Sequence, residues 1–116
     1  NEEAYVALAR NYRKLRQWHE LINAAERHIA ATLDRPTKIE LYGQIAQVYG
    51  DEIEDFDRAI DAYRNIVDLD DSNIPALDAL ARLYDKVGDA NSAIEAMSRV
   101  ADLTPDTRQR VETYYR

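Results

Sequence analysis

The sequence predicts an all-α protein in which helix–turn–helix units follow one another along the chain. Ala, Leu, Glu, Arg and Asp dominate the composition, which favours helix over strand, and only three Gly and three Pro are present. A stripe of large, aliphatic, small and aromatic residues, spaced 3, 1 and 3 positions apart, recurs along the sequence. That spacing places four side chains on one face of an α-helix, so each occurrence predicts an amphipathic helix.

A tyrosine completes the stripe of the first helix in each unit. It recurs after 37 residues and then after 35, and an Ala always stands three positions before it. Small residues at this point let two helices approach closely, while the larger ones fill the space between neighbouring units. The three stripes consist of Tyr5, Leu8, Ala9 and Tyr12, of Tyr42, Ile45, Ala46 and Tyr49, and of Leu77, Leu80, Ala81 and Tyr84.

A second helix follows each tyrosine and begins near Trp18, Phe56 or Ala90. The third unit has the clearest helix ends. The segment "LDDSN", with Pro75 in the next turn, predicts a capped start, and "GDANS" predicts a stop followed by capping residues. The stripes of the second helices consist of Leu21, Ile22, Ala25 and His28, of Ala59, Ile60, Tyr63 and Ile66, and of Ala93, Ile94, Met97 and Val100.

The C-terminal segment predicts a seventh helix, with Thr104 as its N-cap and Pro105 at its first position. Val111, Tyr114 and Tyr115 fall where a fourth unit would place its first stripe. The helix is either a cap or the first half of such a unit. Because a terminal cap usually has a polar outer face, the two adjacent tyrosines favour the second interpretation.

The third unit has Leu77, Leu80, Ala81, Tyr84, Gly88, Ala93, Met97 and Pro105 at a fixed spacing. With the two earlier copies, this pattern resembles the tetratricopeptide repeat over nearly the whole chain. The resemblance implies a right-handed superhelical solenoid, with repeats at about 2–38, 39–73 and 74–107 and a final helix at about 105–116. We expect a single array, cut from a longer bacterial protein with more repeats.

The first two units depart from the family pattern in several places, and the first also has a longer exit, "AATLDRPTK". Arg16 stands where the interhelix turn usually has a small residue, and Leu21 replaces the usual Ala. The second unit carries one extra residue in "GDEIEDF", which places Gly50 early. These departures predict a less ideal first packing contact but the same fold.

The residues that could carry chemistry favour a structural interpretation. His19 and His28 are nine residues apart, a spacing that does not place them on one helix face for a shared metal. We expect His28 to be a packed, hydrogen-bonded core histidine, since apolar residues hold its place in the other units. The acidic segment 51–57 lacks the spacing and central Gly of a calcium loop. The sequence therefore predicts no enzyme activity, no metal and no cofactor.

The net charge of −7 opposes non-specific binding to nucleic acid. No apolar run approaches the length of about 18 residues that a membrane span requires, so we expect no membrane insertion. A cytoplasmic location is the expectation. The charge is also unevenly divided. Segments 2–16, 37–50 and 74–87, the predicted first helices, sum to +2, 0 and 0, whereas 17–36, 51–73 and 88–103 sum to −1, −7 and −2.

In the family the first helices line a concave groove, so the resemblance implies a neutral-to-basic groove and an acidic back. It also implies that the groove binds an extended or helical peptide, and the Arg residues favour an acidic one. Val6, Gly43 and Pro75 stand where the family's clamp for chaperone tails needs polar or basic groups, which argues against that ligand. The groove residues implied are Arg10, Arg13, Lys14, Gln44, Gln47, Asp78 and Arg82.

The alternative is a homo-oligomer. Tyr114 and Tyr115 would then form the edge through which copies of the chain stack end to end. A nucleic-acid binder is disfavoured by the net charge, and an enzyme ranks last.

Overall fold

The computed structural model describes residues 2–104, and these residues form six α-helices without any strand. The predicted all-α fold is therefore confirmed, while the seventh helix lies outside the described residues. The helices are α1 (Glu2–Lys14), α2 (Trp18–Ala31), α3 (Arg35–Gln47), α4 (Phe56–Leu69), α5 (Ile74–Lys86) and α6 (Ala90–Leu103). A π-helical turn, Val48–Ile53, extends α3 toward α4.

Each helix contacts the next one along the chain, so three helix pairs stack into a solenoid. Side-chain caps start four of the helices. The Asn73 side chain accepts a hydrogen bond of 3.0 Å from the Ala76 amide, as the predicted start of α5 requires. The Asp89 side chain accepts one from the Ser92 amide at the start of α6. These caps satisfy amide groups that have no partner within their own helix.

The turn inside each helix pair is closed by the carbonyl of the stripe tyrosine. It accepts from the amide of the N-cap residue of the second helix, at 2.9 Å for Tyr12 and 2.8 Å for both Tyr49 and Tyr84. In the first and third pairs donor and acceptor are five residues apart, the arrangement of a Schellman motif. In the second pair they are six apart, and the π-helical turn takes up the extra residue.

In all three turns the residue just before this N-cap adopts a left-handed conformation. The residue is Gly88 in the third pair, with φ of 84°, but Arg16 in the first, with φ of 56°, and Glu54 in the second, with φ of 62°. A side chain in this conformation costs roughly 1–2 kcal/mol. The departure from the family pattern at Arg16 therefore produces a strained turn in the first pair. In the second pair Gly50 comes too early to occupy the left-handed position, so Glu54 carries the strain instead.

Two apolar clusters within the described part of the chain hold the helix pairs together. The first joins α2 to α3 and includes Leu21, Ile22 and Ile45. The second joins α4 to α5 and α6 and includes Ile60 and Leu80. The small residues predicted at helix contacts are almost fully buried, with exposures of 1% for Ala46, 0% for Ala59, 4% for Ala81 and 3% for Ala93.

Two stripe residues are exposed, contrary to their place in the pattern. Leu8 is 40% exposed although its counterparts Ile45 and Leu80 are buried against the preceding pair. Ile94 is 60% exposed although Ile60 in the second pair is buried. Both lie on the outer edges of the described stack, where no further pair among residues 2–104 covers them.

Replacing Glu54 with Gly should raise the free energy of unfolding by about 1 kcal/mol, because Gly adopts a positive φ without the steric cost. Urea unfolding monitored by circular dichroism measures the change. Glu52→Gly is the matched control, since it removes the same charge two residues earlier, where φ is not positive, and it should lower stability. Equal effects of the two substitutions would contradict the assignment of strain to Glu54.

Candidate ligand-binding groove

Among residues 2–104, two recesses open along the same side of the helix stack. The first recess lies between α1, α2 and α3 and has a volume of about 220 Å³. Its lining consists of Tyr5, Val6, Ala9, Arg10, Arg13, Ala24, Ala25, His28, Leu41 and Gln44.

The second recess lies between α3, α4 and α5 and has a volume of about 140 Å³. Gln44 lines the first recess and Gln47 the second, and residues three apart on a helix share a face. Both recesses therefore open along the same face of α3. The lining of the second recess consists of Ala46, Gln47, Gly50, Asp51, Tyr63, Ala79, Arg82, Leu83 and Lys86.

The recesses bring together five of the seven predicted groove residues. Arg10, Arg13 and Gln44 line the first recess, and Gln47 and Arg82 line the second. The other two line neither of them. Lys14 is exposed at the end of α1, and Asp78 is half-buried on α5. Tyr114 and Tyr115 lie outside the described residues.

The charges on this face are mainly positive. Arg10 and Arg13 are the arginines of the first recess, and Arg82 and Lys86 outnumber Asp51 in the second. The Lys86 ammonium lies 5.0 Å from the centre of the Phe56 ring, a cation–π contact that restrains it beside the second recess.

The surface of the stack away from the first and second recesses, called the outer face below, carries more acidic than basic groups in its recesses. A recess there, between α2, α3 and α4, has Glu26 and Asp61 against Arg58. A larger one, between α4, α5 and α6, has Asp68, Asp89 and Glu95 against Arg64 and Arg99.

Tyr63 extends into the second recess from α4 and was not among the predicted groove residues. The prediction considered only first helices, and the sequence signal for Tyr63 is a tyrosine where the other units have Ala25 and Met97. Burial raises the pKa of the Tyr63 hydroxyl, Asp51 raises it further, and Arg82 opposes both. The hydroxyl therefore stays protonated at neutral pH and can donate a hydrogen bond into the recess.

His28 is buried in the wall of the first recess, with an exposure of 5%. Its ring stacks on Tyr5, with 5.1 Å between the ring centres and 14° between the planes. The expected hydrogen bond is missing at one nitrogen, because Nε2 is buried without a hydrogen-bond partner among the described residues. The Glu2 carboxylate lies 3.6 Å from Nε2, too far for a hydrogen bond but within ion-pair distance if the ring is protonated.

Residues 2–104 contain no group of three or more His, Asp or Glu side chains arranged to hold a metal ion. Among the described helices, none combines the length and the apolar character that a membrane span requires.

Stacked helix pairs of this kind define a helical-repeat solenoid. The sequence identifies which family of helical repeats this is. Two tetratricopeptide repeat models match the sequence, one at residues 4–39 and 76–111 and the other at residues 39–73. The chain belongs to the tetratricopeptide repeat family. Among curated proteins, none matches this sequence.

The fold is also similar to a solved structure, described as the crystal structure of MamA. The TM-score is 0.70 at 24% sequence identity, and the match covers 95% of this chain and 62% of that chain. At this identity the likeness shows the fold alone. The chain spans less than two thirds of that solved chain.

Replacing Tyr63 with Phe should make the chain less sensitive to alkaline pH. The folded chain keeps the Tyr63 proton at a pH where the unfolded chain releases it, so this contribution is complete below the usual pKa of 10.0 and is lost above it. Urea unfolding at pH 8 and pH 10.5 should show a larger loss of stability in wild type than in the variant. The other tyrosines are common to both proteins, so parallel losses would contradict the raised pKa.

Proposed function

We propose that this chain binds an acidic peptide segment, extended or helical, along the face that carries the first and second recesses. Tetratricopeptide repeats indicate a protein–protein interaction scaffold, and that coarser role follows from the family. The family generally acts without catalysis, and we propose the same for this chain. The proposal adds the location of the ligand and its charge.

The observation that carries the proposal is the excess of positive charge in both recesses. Arg10 and Arg82 occupy the same position of the first and third repeats, both are exposed, and each lines a recess. Within residues 2–104, no carboxylate lies within ion-pair distance of either guanidinium. Arginine presents a planar set of donors that can bind a carboxylate through two hydrogen bonds. These two residues are therefore suited to hold acidic side chains of a partner.

Neutral donors in the recesses support the same ligand. Gln44 and Gln47 belong to the second repeat, which lies between the repeats that carry Arg10 and Arg82. Their side-chain amides can donate hydrogen bonds to a peptide backbone and accept hydrogen bonds from it. Tyr63 adds a protonated hydroxyl in the second recess. The acidic outer face would repel the same peptide, so charge would select the face without adding much affinity. Nucleic acid is not proposed as a ligand, because the net charge of −7 opposes it.

Replacing Arg10 and Arg82 together with Ala should weaken binding of an acidic peptide by about 1–3 kcal/mol while the fold is kept, since both side chains are exposed. The measurement is isothermal titration calorimetry with capped peptides that differ only in the number of Glu residues, repeated at increasing salt. Binding should weaken with salt because exposed charges are screened.

Arg27→Ala with Arg64→Ala is the matched control, because it removes the same charge from exposed residues of α2 and α4. If both double variants lose affinity equally, net charge alone explains binding and the proposed location is wrong. If peptides without Glu bind as well as those with Glu, the proposed ligand class is wrong.

The second candidate is self-association through the C-terminal edge, where the sequence predicts Tyr114 and Tyr115. The specific observation that favours it is exposed apolar surface on α6, because Ile94 is 60% exposed and Leu103 is 37% exposed. Such side chains would be buried if copies stacked end to end.

Sedimentation velocity at increasing concentration tests the second candidate. Wild type should form larger species at higher concentration, and Ile94→Ser should shift this transition to higher concentration by removing apolar contact area. A monomer at every concentration would exclude this candidate. The exposed Ala30→Ser on α2 serves as the control.

A further inference from the structure

We propose that His28 anchors a carboxylate of the bound peptide in the first recess, in place of the carboxylate of Glu2. This inference rests on the proposed function, and it adds a specific contact below the exposed arginines. The site consists of His28, Tyr5, Arg10, Arg13 and Gln44, with Glu2 as the group that the ligand displaces.

The first line of evidence is a buried polar atom without a partner. His28 is 5% exposed, and its Nε2 has no hydrogen bond among the described residues. Buried polar atoms in folded proteins nearly always have a partner, because leaving one unpaired is costly. Because the His28 residue lines the first recess, a ligand bound there can supply the missing partner once neighbouring side chains move.

The second line of evidence comes from the other repeats. Ile66 and Val100 occupy the position of His28, and they are 4% and 0% exposed. An aliphatic side chain therefore fills the equivalent buried position of the other two repeats. The fold of the other repeats does not need a histidine at this position. We therefore infer that His28 serves binding in the first repeat.

The third line of evidence is the carboxylate already beside the ring. The Glu2 Oε1 atom lies 3.6 Å from His28 Nε2, and the two side chains are 68% and 7% exposed. The Glu2 side chain is mostly exposed and makes no hydrogen bond to the ring, so its carboxylate can move into solvent at low cost. Nε2 has no contact with solvent in this arrangement. A carboxylate that binds at Nε2 would take the place that the Glu2 carboxylate now holds, which makes Glu2 a competitor.

The remaining lining of the recess fits a single carboxylate group. Arg10 and Arg13 present cationic donors, and Gln44 presents a neutral one. Val6 and Leu41 belong to the apolar part of the lining and can contact the methylene groups of a side chain. At about 220 Å³ the recess is smaller than the roughly 300 Å³ at which small-molecule pockets begin, so it fits one side chain or one chain end.

The carboxylate could belong to a Glu or Asp side chain or to the C-terminus of a peptide, and three probes distinguish these sources. The first is an acetylated and amidated octapeptide of Ala and Gln with one central Glu. The second has Gln in place of that Glu and a free C-terminal carboxylate. The third has the same Gln but an amidated end, and therefore no carboxylate.

The chain contains two histidines, so nuclear magnetic resonance of the ring nitrogens reads the site directly. The first or the second probe should shift the His28 resonances and leave those of His19, which is exposed on the same helix, unchanged. The third probe should shift neither. Whichever probe acts identifies the source of the carboxylate.

Affinity measurements on variants complete the test. His28→Ile should weaken binding of the active probe by about ten-fold or more, because a charge-assisted hydrogen bond is lost, and it should melt at or above the wild-type temperature. Glu2→Ala should strengthen binding by about two- to five-fold, because the competitor is gone. His19→Gln and Glu20→Ala, two exposed positions on α2, should leave affinity unchanged.

The outcomes separate this inference from the proposed function. If a folded His28→Ile variant binds the carboxylate probes as wild type does, while Arg10→Ala with Arg82→Ala does not, the anchor is wrong and the proposed groove stands. If wild type binds neither carboxylate probe, or binds all three equally, both the anchor and the acidic ligand are wrong.

Discussion

No helix pair of this protein can bury its apolar stripe by itself, and the other features of the structure depend on this constraint. Ile45 of the second pair is covered by Leu21 and Ile22 of the first, and Leu80 of the third pair by Ile60 of the second. Where the described stack has no further neighbour, the equivalent position is exposed, as at Leu8. Because close packing requires small residues between helices, the stack also fixes where alanines must stand.

The same stacking tolerates local irregularity as long as the helix faces keep their alignment. The second repeat carries one residue more than the others in its turn, yet its tyrosine carbonyl still closes the turn. A π-helical turn takes up the extra residue and leaves Glu54 in a left-handed conformation. Strain in one exposed turn costs less than misalignment of a whole apolar stripe, because the stripe contributes burial along an entire helix.

The stack also separates positions that serve packing from positions available for binding. Consecutive helices meet through their stripes and leave shallow recesses beside them, into which Arg10, Arg82 and Tyr63 extend. His28 departs from this division, because it lies at a packing position and still carries a polar group. Such a departure from local consistency is expected where a residue serves binding, as we propose for His28.

The sequence by itself determined the fold class, the repeat and most of the helix starts. The 3.6-residue periodicity and the capping residues are local properties, and local properties can be read without coordinates. Five of the seven predicted groove residues line the recesses for the same reason, since equivalent positions of a repeat share one face. The tertiary structure decided what depends on neighbours distant in sequence. These features include the Tyr63 side chain, contributed to the groove by a second helix, and the exposure of Leu8 and Ile94 at the edges of the described stack. The unpaired nitrogen of His28 is another, because hydrogen-bond partners depend on packing between helices, and sequence periodicity does not specify them.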